Sequence, residues 1–523
     1  MNNSRAKEAI GWMLFIGLIW FVAKLLSHQS PEWDNMEELV WANSFELGYQ
    51  KHPPLPTWIL YPATLIFGKS LALSFGLGLL CVFAANVCIY YLFSDVIERS
   101  KGAIPSYAAF MAVLVSSPIA YYTIRGTDFN HNAAQLWSLA AMLLFYYRAW
   151  VAELEGRFSL QNWALVGFFG GLALLTKYSA VIQIATLATH FLWARRWNNS
   201  KAWVGLLLSA GIATLLFLPH LMWVLDQAAN GMGPLKYAQT SVEGAGNFLE
   251  QLDQLIIGFL LTQVYRLSPI LLTVWIVWRL SKHASQREPN SKTWWQILEP
   301  EDRQFLLISL AAPTVFALIM GFGFGMKIEA KWAVTFYMTI GSVGWLFVSG
   351  NFSTQKMIRQ IVLLHLVFAA GYALIIGPIA GAVGYTTRAN YPGKALSKII
   401  YQRWQEHPEL TKGESLKLVA GDSWTAGNVI IHGPNLGRET RVWVDGKDAE
   451  SPWLNGVEKP LTMVVINRSA KVDYHGRHRR PDPVSSEVEA LFQAGLIKGH
   501  ESIPWATNEK GPHLEIDWAI VKP

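Results

Sequence analysis

Eleven apolar runs of 15 to 25 residues follow one another between residues 10 and 381, separated mostly by short polar loops. A helix needs about twenty such residues to cross the hydrocarbon core of a bilayer. The runs lie at 10–26, 71–93, 104–122, 133–150, 162–176, 178–193, 203–221, 255–279, 304–323, 332–349 and 361–381. The pair at 162–193 also reads as one bent helix around Lys177 and Tyr178. Only 15% of the chain is charged, against about a quarter in ordinary soluble domains. The expectation is an all-α polytopic membrane protein of about eleven transmembrane helices over residues 1–384, followed by a soluble domain over 385–523.

Lys and Arg set the orientation. With the N-terminus inside, the inner segments carry sixteen of them, and the outer loops and spans nine. This asymmetry favours N-in, and an odd number of spans then puts residues 385–523 outside, in the periplasm of a bacterial inner membrane. No small-residue cleavage site follows the first run, so it reads as a retained anchor. The net charge of +6 sits largely in short loops, which speaks for orientation and against nucleic-acid binding. The oligomeric state is left open.

The outer domain has no cysteine, since Cys81 and Cys88 both fall in the second run. It therefore needs an apolar core. Leu416–Ala420, Thr440–Val444, Leu461–Ile466 and Leu514–Ile520 read as strands, and Ser397–Trp404 and Glu487–Ala494 as helices, a small α/β fold. Gly421-Asp422 makes a strand-to-helix turn without the glycine spacing of a nucleotide site.

The polar groups concentrate in the first outer loop, residues 27–70, which holds Glu32, Asp34, Asn35, Glu37, Glu38, Asn43, Glu46, Lys51 and His52. From Asp34 to Gly48 the apolar positions follow a helical period, as in an amphipathic helix lying on a membrane surface. Pro53-Pro54 interrupts it, and Trp58–Phe67 is too short to span. Carboxylates at the mouth of a helix bundle suit chemistry on a lipid-borne substrate. The plainer alternative is an amphipathic loop with solvated charges.

Asp34-Asn35-Met36-Glu37-Glu38, Gly48-Tyr49 leading to His52-Pro53-Pro54-Leu55, Thr127-Asp128-Phe129-Asn130-His131-Asn132, Gly171–Tyr178 and Tyr391-Pro392-Gly393 together resemble the GT-C glycosyltransferases of the family 39, protein-mannosyltransferase-like group. That group includes aminoarabinose lipid A transferases and lipopolysaccharide-core galacturonosyltransferases. The resemblance implies a GT-C fold and an inverting transfer from a polyprenyl-phosphate-linked sugar to a lipid or glycan acceptor, such as lipid A, lipopolysaccharide or another envelope glycan or protein.

A hydroxyl acceptor calls for a carboxylate base, and the departing phosphate for cations. The resemblance maps the base to Asp34. Glu37 is the second candidate, and Asp128 a third that also reads as a cap on the fourth span. Cations outside the inner loops run against the positive-inside trend, which marks Lys51, Arg125, Lys177, Arg266, Lys327 and Lys331 for the donor phosphate. Lys177 also matches a lysine of the family pattern. Lys24, Lys69 and Lys236 read as snorkelling to the interface. His52, Asn130, His131, Tyr178 and His220 complete the expected pocket.

The metal question stays open at this level. Lipid A transferase-like members carry Glu-Lys before Pro-Pro-Leu, where this chain has Lys51-His52, so no cofactor is assigned and a divalent metal is left open through His52, His131 and His220. The basic run His475–Pro481 reads as a solvated loop or a contact for an anionic acceptor. The competing function is a polytopic flippase or transporter, and a silent membrane scaffold is a third. Against transport, hydropathy shows no internal repeat, and the polar residues gather at one face.

Overall fold

The computed structural model describes residues 3–229, 231, 233–242, 248–282, 292–347, 354–469, 471–472, 478–479, 483–505 and 512–523. Most of the basic run expected at 475–481 lies outside them. Among the described residues, six helices are long and apolar enough to cross a membrane: Ala6–Ser27, Leu71–Glu98, Ser200–Ala229, Leu249–Ile276, Pro300–Gly323 and Thr354–Ala382.

The N-terminal half supplies α1 (Asn3–Ser27), α2 (Trp33–Trp41), α3 (Leu55–Phe67), α4 (Leu71–Glu98), α5 (Tyr107–Ser116), α6 (His131–Leu154), α7 (Leu160–Thr176), α8 (Ala180–Trp193) and α9 (Ser200–Ala229). Close approach between helices is set by small residues. A Cβ on Gly167 of α7 would lie 2.4 Å from the Ser209 carbonyl oxygen of α9, and one on Gly205 of α9 would strike the Trp163 indole at 2.3 Å. Helix α6 is buried along most of its length, so its apolar residues face protein rather than lipid.

Two expected spans differ from the structure. The run at 104–122 gives only the ten residues of α5, because Ser116-Ser117-Pro118 ends the helix in turns. The run at 332–349 breaks into a 3₁₀ turn (Ala330–Thr335) and a short helix (Ile340–Leu346). Gly341 there packs on α5, where a Cβ would meet the Ser116 hydroxyl at 2.6 Å. Both runs are apolar because neighbouring helices cover them. The pair at 162–193 is two helices, parted by an extended Lys177.

Beyond Gly393 a five-stranded sheet forms in the order Arg441–Val444, Leu418–Gly421, Thr462–Asn467, His513–Val521, Ile497–Pro504. The first three strands are parallel, His513–Val521 runs against them and Ile497–Pro504 runs against His513–Val521, with Val419 level with Val442 and Met463. Four strands match the sequence expectation. Ile497–Pro504 was not expected, since this edge strand reads Lys-Gly-His-Glu-Ser and carries little apolar alternation. Asp422 caps the helix Ser423–Ile431 by accepting from Trp424 N and Thr425 N, both at 2.9 Å. That helix packs directly on α2.

Candidate active site

Helix α2 begins after an extended Glu32 and ends at Ala42, well short of Gly48. Residues 35–41 are all buried, so this is not a helix with solvated charges, as the plainer reading had it. Its acidic residues divide by burial. Asp34 is the accessible one, its side chain 26% exposed. Glu37 is buried and accepts from the Lys51 ammonium and from Trp33 Nε1 at 2.9 Å. Burial pushes its carboxyl up, against the pull of Lys51.

Around Asp34 Oδ2 stand Asn132 Nδ2 at 3.4 Å, Lys331 Nζ at 3.5 Å and His131 Nε2 at 4.0 Å. Asn132 turns its other amide atom, Oδ1, to the Lys177 ammonium. One carboxamide thus joins a carboxylate from the first loop to a cation from the end of α7. Lys177 also lies over the Trp332 ring, 5.8 Å from its centroid. It sits between α7 and α8, nearly buried, and burial first and Lys331 second pull its ammonium down to about 7. The His52 and His131 rings lie against each other, centroids 3.5 Å apart. Burial, with Lys177, Lys331 and Lys51 nearby, holds His52 well below the usual imidazole value.

The structure therefore gathers Asp34, Glu37, Lys51, His52, His131, Lys177 and Lys331. The remaining candidates stand in other contacts. Asp128 does not cap α6. Asn130 does, accepting from Asn132 N at 2.8 Å and Ala133 N at 3.3 Å. Asp128 instead holds Lys24 Nζ at 3.0 Å and Arg125 Nη1 at 3.5 Å. Lys24 is accordingly fully buried rather than snorkelled, because an internal carboxylate compensates its charge. Lys69 is also buried, its ammonium donating to Asn43 Oδ1. Arg266 donates to Tyr121 Oη at 3.1 Å and to the Ala330 carbonyl at 2.8 Å, and Lys327 pairs with Glu329 at 3.0 Å. These two flank Lys331 in sequence or in space.

His220 bridges Tyr178 Oη at 2.9 Å and the Leu47 carbonyl at 2.7 Å, so both ring nitrogens are engaged in holding the turn before Gly48. A metal fits this donor set poorly. The imidazole pair stands among three ammonium groups, Lys51 occupies Glu37, and no group of three His, Cys, Asp or Glu side chains among the described residues is placed to hold an ion.

Sequence reasoning missed two residues here. Asn132 closes the Thr127–Asn132 motif, and its signal was its place one residue after His131. Glu38 is 1% exposed and accepts from Thr57 Oγ1 at 2.7 Å, while its Oε1 has no hydrogen-bond partner. Burial pushes this carboxyl up to about 8, which keeps it protonated at neutral pH.

Comparison with known proteins agrees with this architecture. Residues 51–223 match the family described as dolichyl-phosphate-mannose-protein mannosyltransferase. The lipopolysaccharide core galacturonosyltransferase RgtB of Rhizobium johnstonii is 24% identical over 439 residues, 82% of each chain. ArnT from Cupriavidus metallidurans superposes over 98% of both chains in its apo state, with a TM-score of 0.53 and 12% identity. Its form bound to undecaprenyl phosphate superposes over 97% of both, with a TM-score of 0.51 and 13% identity. Motifs, fold and relatives converge on one resemblance: the chain has the fold of ArnT and is similar to membrane glycosyltransferases of the GT-C, protein-mannosyltransferase-like group.

Proposed function

We propose that this glycosyltransferase takes its sugar from a polyprenyl-phosphate donor and passes it, with inversion, to a lipopolysaccharide or lipid A acceptor at the outer face of a bacterial inner membrane. The observation that carries the proposal is the Asn132 carboxamide, which sets the Asp34 carboxylate beside the Lys177 ammonium. A base and a phosphate-binding cation are the two groups such a transfer needs within one substrate's reach. The lipopolysaccharide relative and the undecaprenyl-phosphate-bound neighbour support the choice of acceptor and donor.

In this reading the acceptor oxygen attacks the anomeric carbon from the side opposite the phosphate. Its proton passes to Asp34, and the bond from the anomeric carbon to the phosphate oxygen breaks, leaving free polyprenyl phosphate. Lys177 and Lys331 meet the charge that gathers on that phosphate. Asp34 is preferred to Glu37 as the base because Glu37 is buried and already engaged by Lys51. Lys51 then acts through Glu37, while Arg266 and Lys327 hold the segment that presents Lys331. Residues 385–523 lie outside the membrane in this reading, as the Lys and Arg asymmetry favours.

The test uses purified protein in lipid discs, a polyprenyl-phosphate sugar and a lipopolysaccharide acceptor. Free polyprenyl phosphate and glycosylated acceptor should appear in equal amounts, and Asp34→Asn should slow both by about a hundredfold while donor binding persists. Donor crossing the bilayer without cleavage would replace this reading with transport.

A further inference from the structure

The outer domain touches the membrane domain at the helix that carries Asp34. Trp424, at the start of the helix Ser423–Ile431, stacks on Trp33 with ring planes 2° apart and centroids 5.7 Å apart. One turn on, Gly427 faces Met36. A Cβ there would come within 2.5 Å of Met36 Sδ and 3.3 Å of Val40 Cγ2, so only glycine lets the two helices approach this closely. Asn428 Oδ1 accepts from Ser30 Oγ at 2.5 Å, just ahead of α2, and Arg388 pairs with Glu32 at 3.0 Å. The contacts thus reach the segment leading into α2 and its first two turns.

The same domain also grips the far end of α3. The Leu436 carbonyl accepts from Lys69 N at 2.8 Å, and the Arg438 guanidinium donates to the Ile66 carbonyl. At this contact Asn435 and Leu436 both adopt left-handed backbone, with φ of 53° and 52°. Two adjacent non-glycine residues in that region are uncommon and need surrounding structure to hold them. The Leu436 carbonyl and side chain meet Lys69 and Gly68 directly.

We propose that the outer domain clamps the first-loop helices, and that Trp424, Gly427 and Asn428 are positioning residues for Asp34. The consequence for turnover rests on Asp34 being the base. The clamp itself does not. Helix α2 has only nine residues, and one this short is not stable alone. Its register, and with it the place of the Asp34 carboxylate, depends on what packs over it.

Hydrogen exchange and turnover on the full-length protein in lipid discs separate the two parts. In Trp424→Ala, amides of residues 33–41 should exchange faster, while the strands Leu418–Gly421 and Thr462–Asn467 stay protected. Turnover should fall toward a hundredfold, the scale of a misplaced reacting group, with donor affinity within about twofold. Trp424→Phe should restore most of both. If Trp424→Ala loosens the whole sheet, Gly427→Leu repeats the test from the helix surface by wedging Met36 and Val40 apart. Unchanged protection of 33–41 in Gly427→Leu overturns the clamp. Loosened α2 with normal turnover keeps the clamp and overturns the role of Asp34.

Discussion

Replacing Lys177 by methionine should make the protein more stable and nearly inactive, because the same buried charge has opposite effects on folding and on catalysis. Its ammonium falls from 10.5 to about 7. At about 1.4 kcal/mol per pH unit, charging it in place costs on the order of 5 kcal/mol. The unfolded chain binds this proton below pH 10.5 and the folded site only below about 7. Stability therefore declines as pH drops from 10.5 to 7 and is level below that. Methionine removes the penalty and keeps the length, at the loss of the Asn132 hydrogen bond, worth about 1–3 kcal/mol for a charged group. A net gain of about 2–4 kcal/mol is expected at pH 7 and none at pH 11, read from unfolding in detergent across pH. A bound phosphate would supply the missing anion, so turnover should fall about a hundredfold in the methionine variant and partly recover in Lys177→Arg. In the unmodified enzyme kcat/KM should decline above about pH 7 as Lys177 loses its proton. Lys177→Arg should push that basic limb several units higher. Normal turnover in Lys177→Met, or a basic limb that Lys177→Arg leaves in place, would refute the reasoning.

Three further outcomes follow from other contacts. Activity should survive prolonged treatment with a strong chelator, since Lys51 engages Glu37 and His220 has both nitrogens committed; loss of activity restored by a divalent ion would move attention to Asp34, His52 and His131 as ligands. Asp128→Asn should destabilise the protein by about 3–5 kcal/mol by leaving Lys24 buried without its counter-charge, and adding Lys24→Met should recover much of that; thermal unfolding of the four-member cycle reads both, and additive losses would show the pair to be unimportant. An alkaline phosphatase fusion at Gly384 should be active and one at Asn198 inactive, and the reverse pattern would place the Asp34 cluster on the cytoplasmic side.

What the sequence made legible depended on whether a residue's environment is local. The strand Thr462–Asn467 and the turn at Gly421-Asp422 are written in a few consecutive positions, and both form where the pattern puts them. Apolar runs are read less well, because hydropathy does not distinguish lipid from protein as the covering medium. The run 104–122 is apolar because α5 is packed on every side, and Ser117 and Pro118 end it after ten residues. Lys24 is the same problem for charge. A lysine near the end of a span looks identical whether it reaches for water or for a carboxylate 104 residues away, and only the fold brings Asp128 to it.

The site divides along the same line. Asp34, Lys51 and Lys177 were visible in the sequence as a carboxylate and cations in segments where the positive-inside trend expects few cations. Asn132 carries no charge and stood out only as the last residue of the Thr127–Asn132 motif, yet it touches both Asp34 and Lys177. Glu38 looked like one more member of an acidic helix. Burial against Thr57 makes it a neutral acid with a free oxygen, which no spacing rule announces. Helix α2 thus sends three carboxyl groups into three surroundings: Asp34 toward open space, Glu37 to Lys51, and Glu38 into the packing beneath. A helix of nine residues keeps those assignments only while its rotation is held. A turn of one residue, about 100°, that carried Asp34 to the place of Trp33 would carry Glu38 to the place of Glu37, facing Lys51. The C-terminal domain's hold on Trp33 and Met36 therefore bears on where each of these carboxyl groups stands, and that dependence ties residues beyond 393 to the first loop.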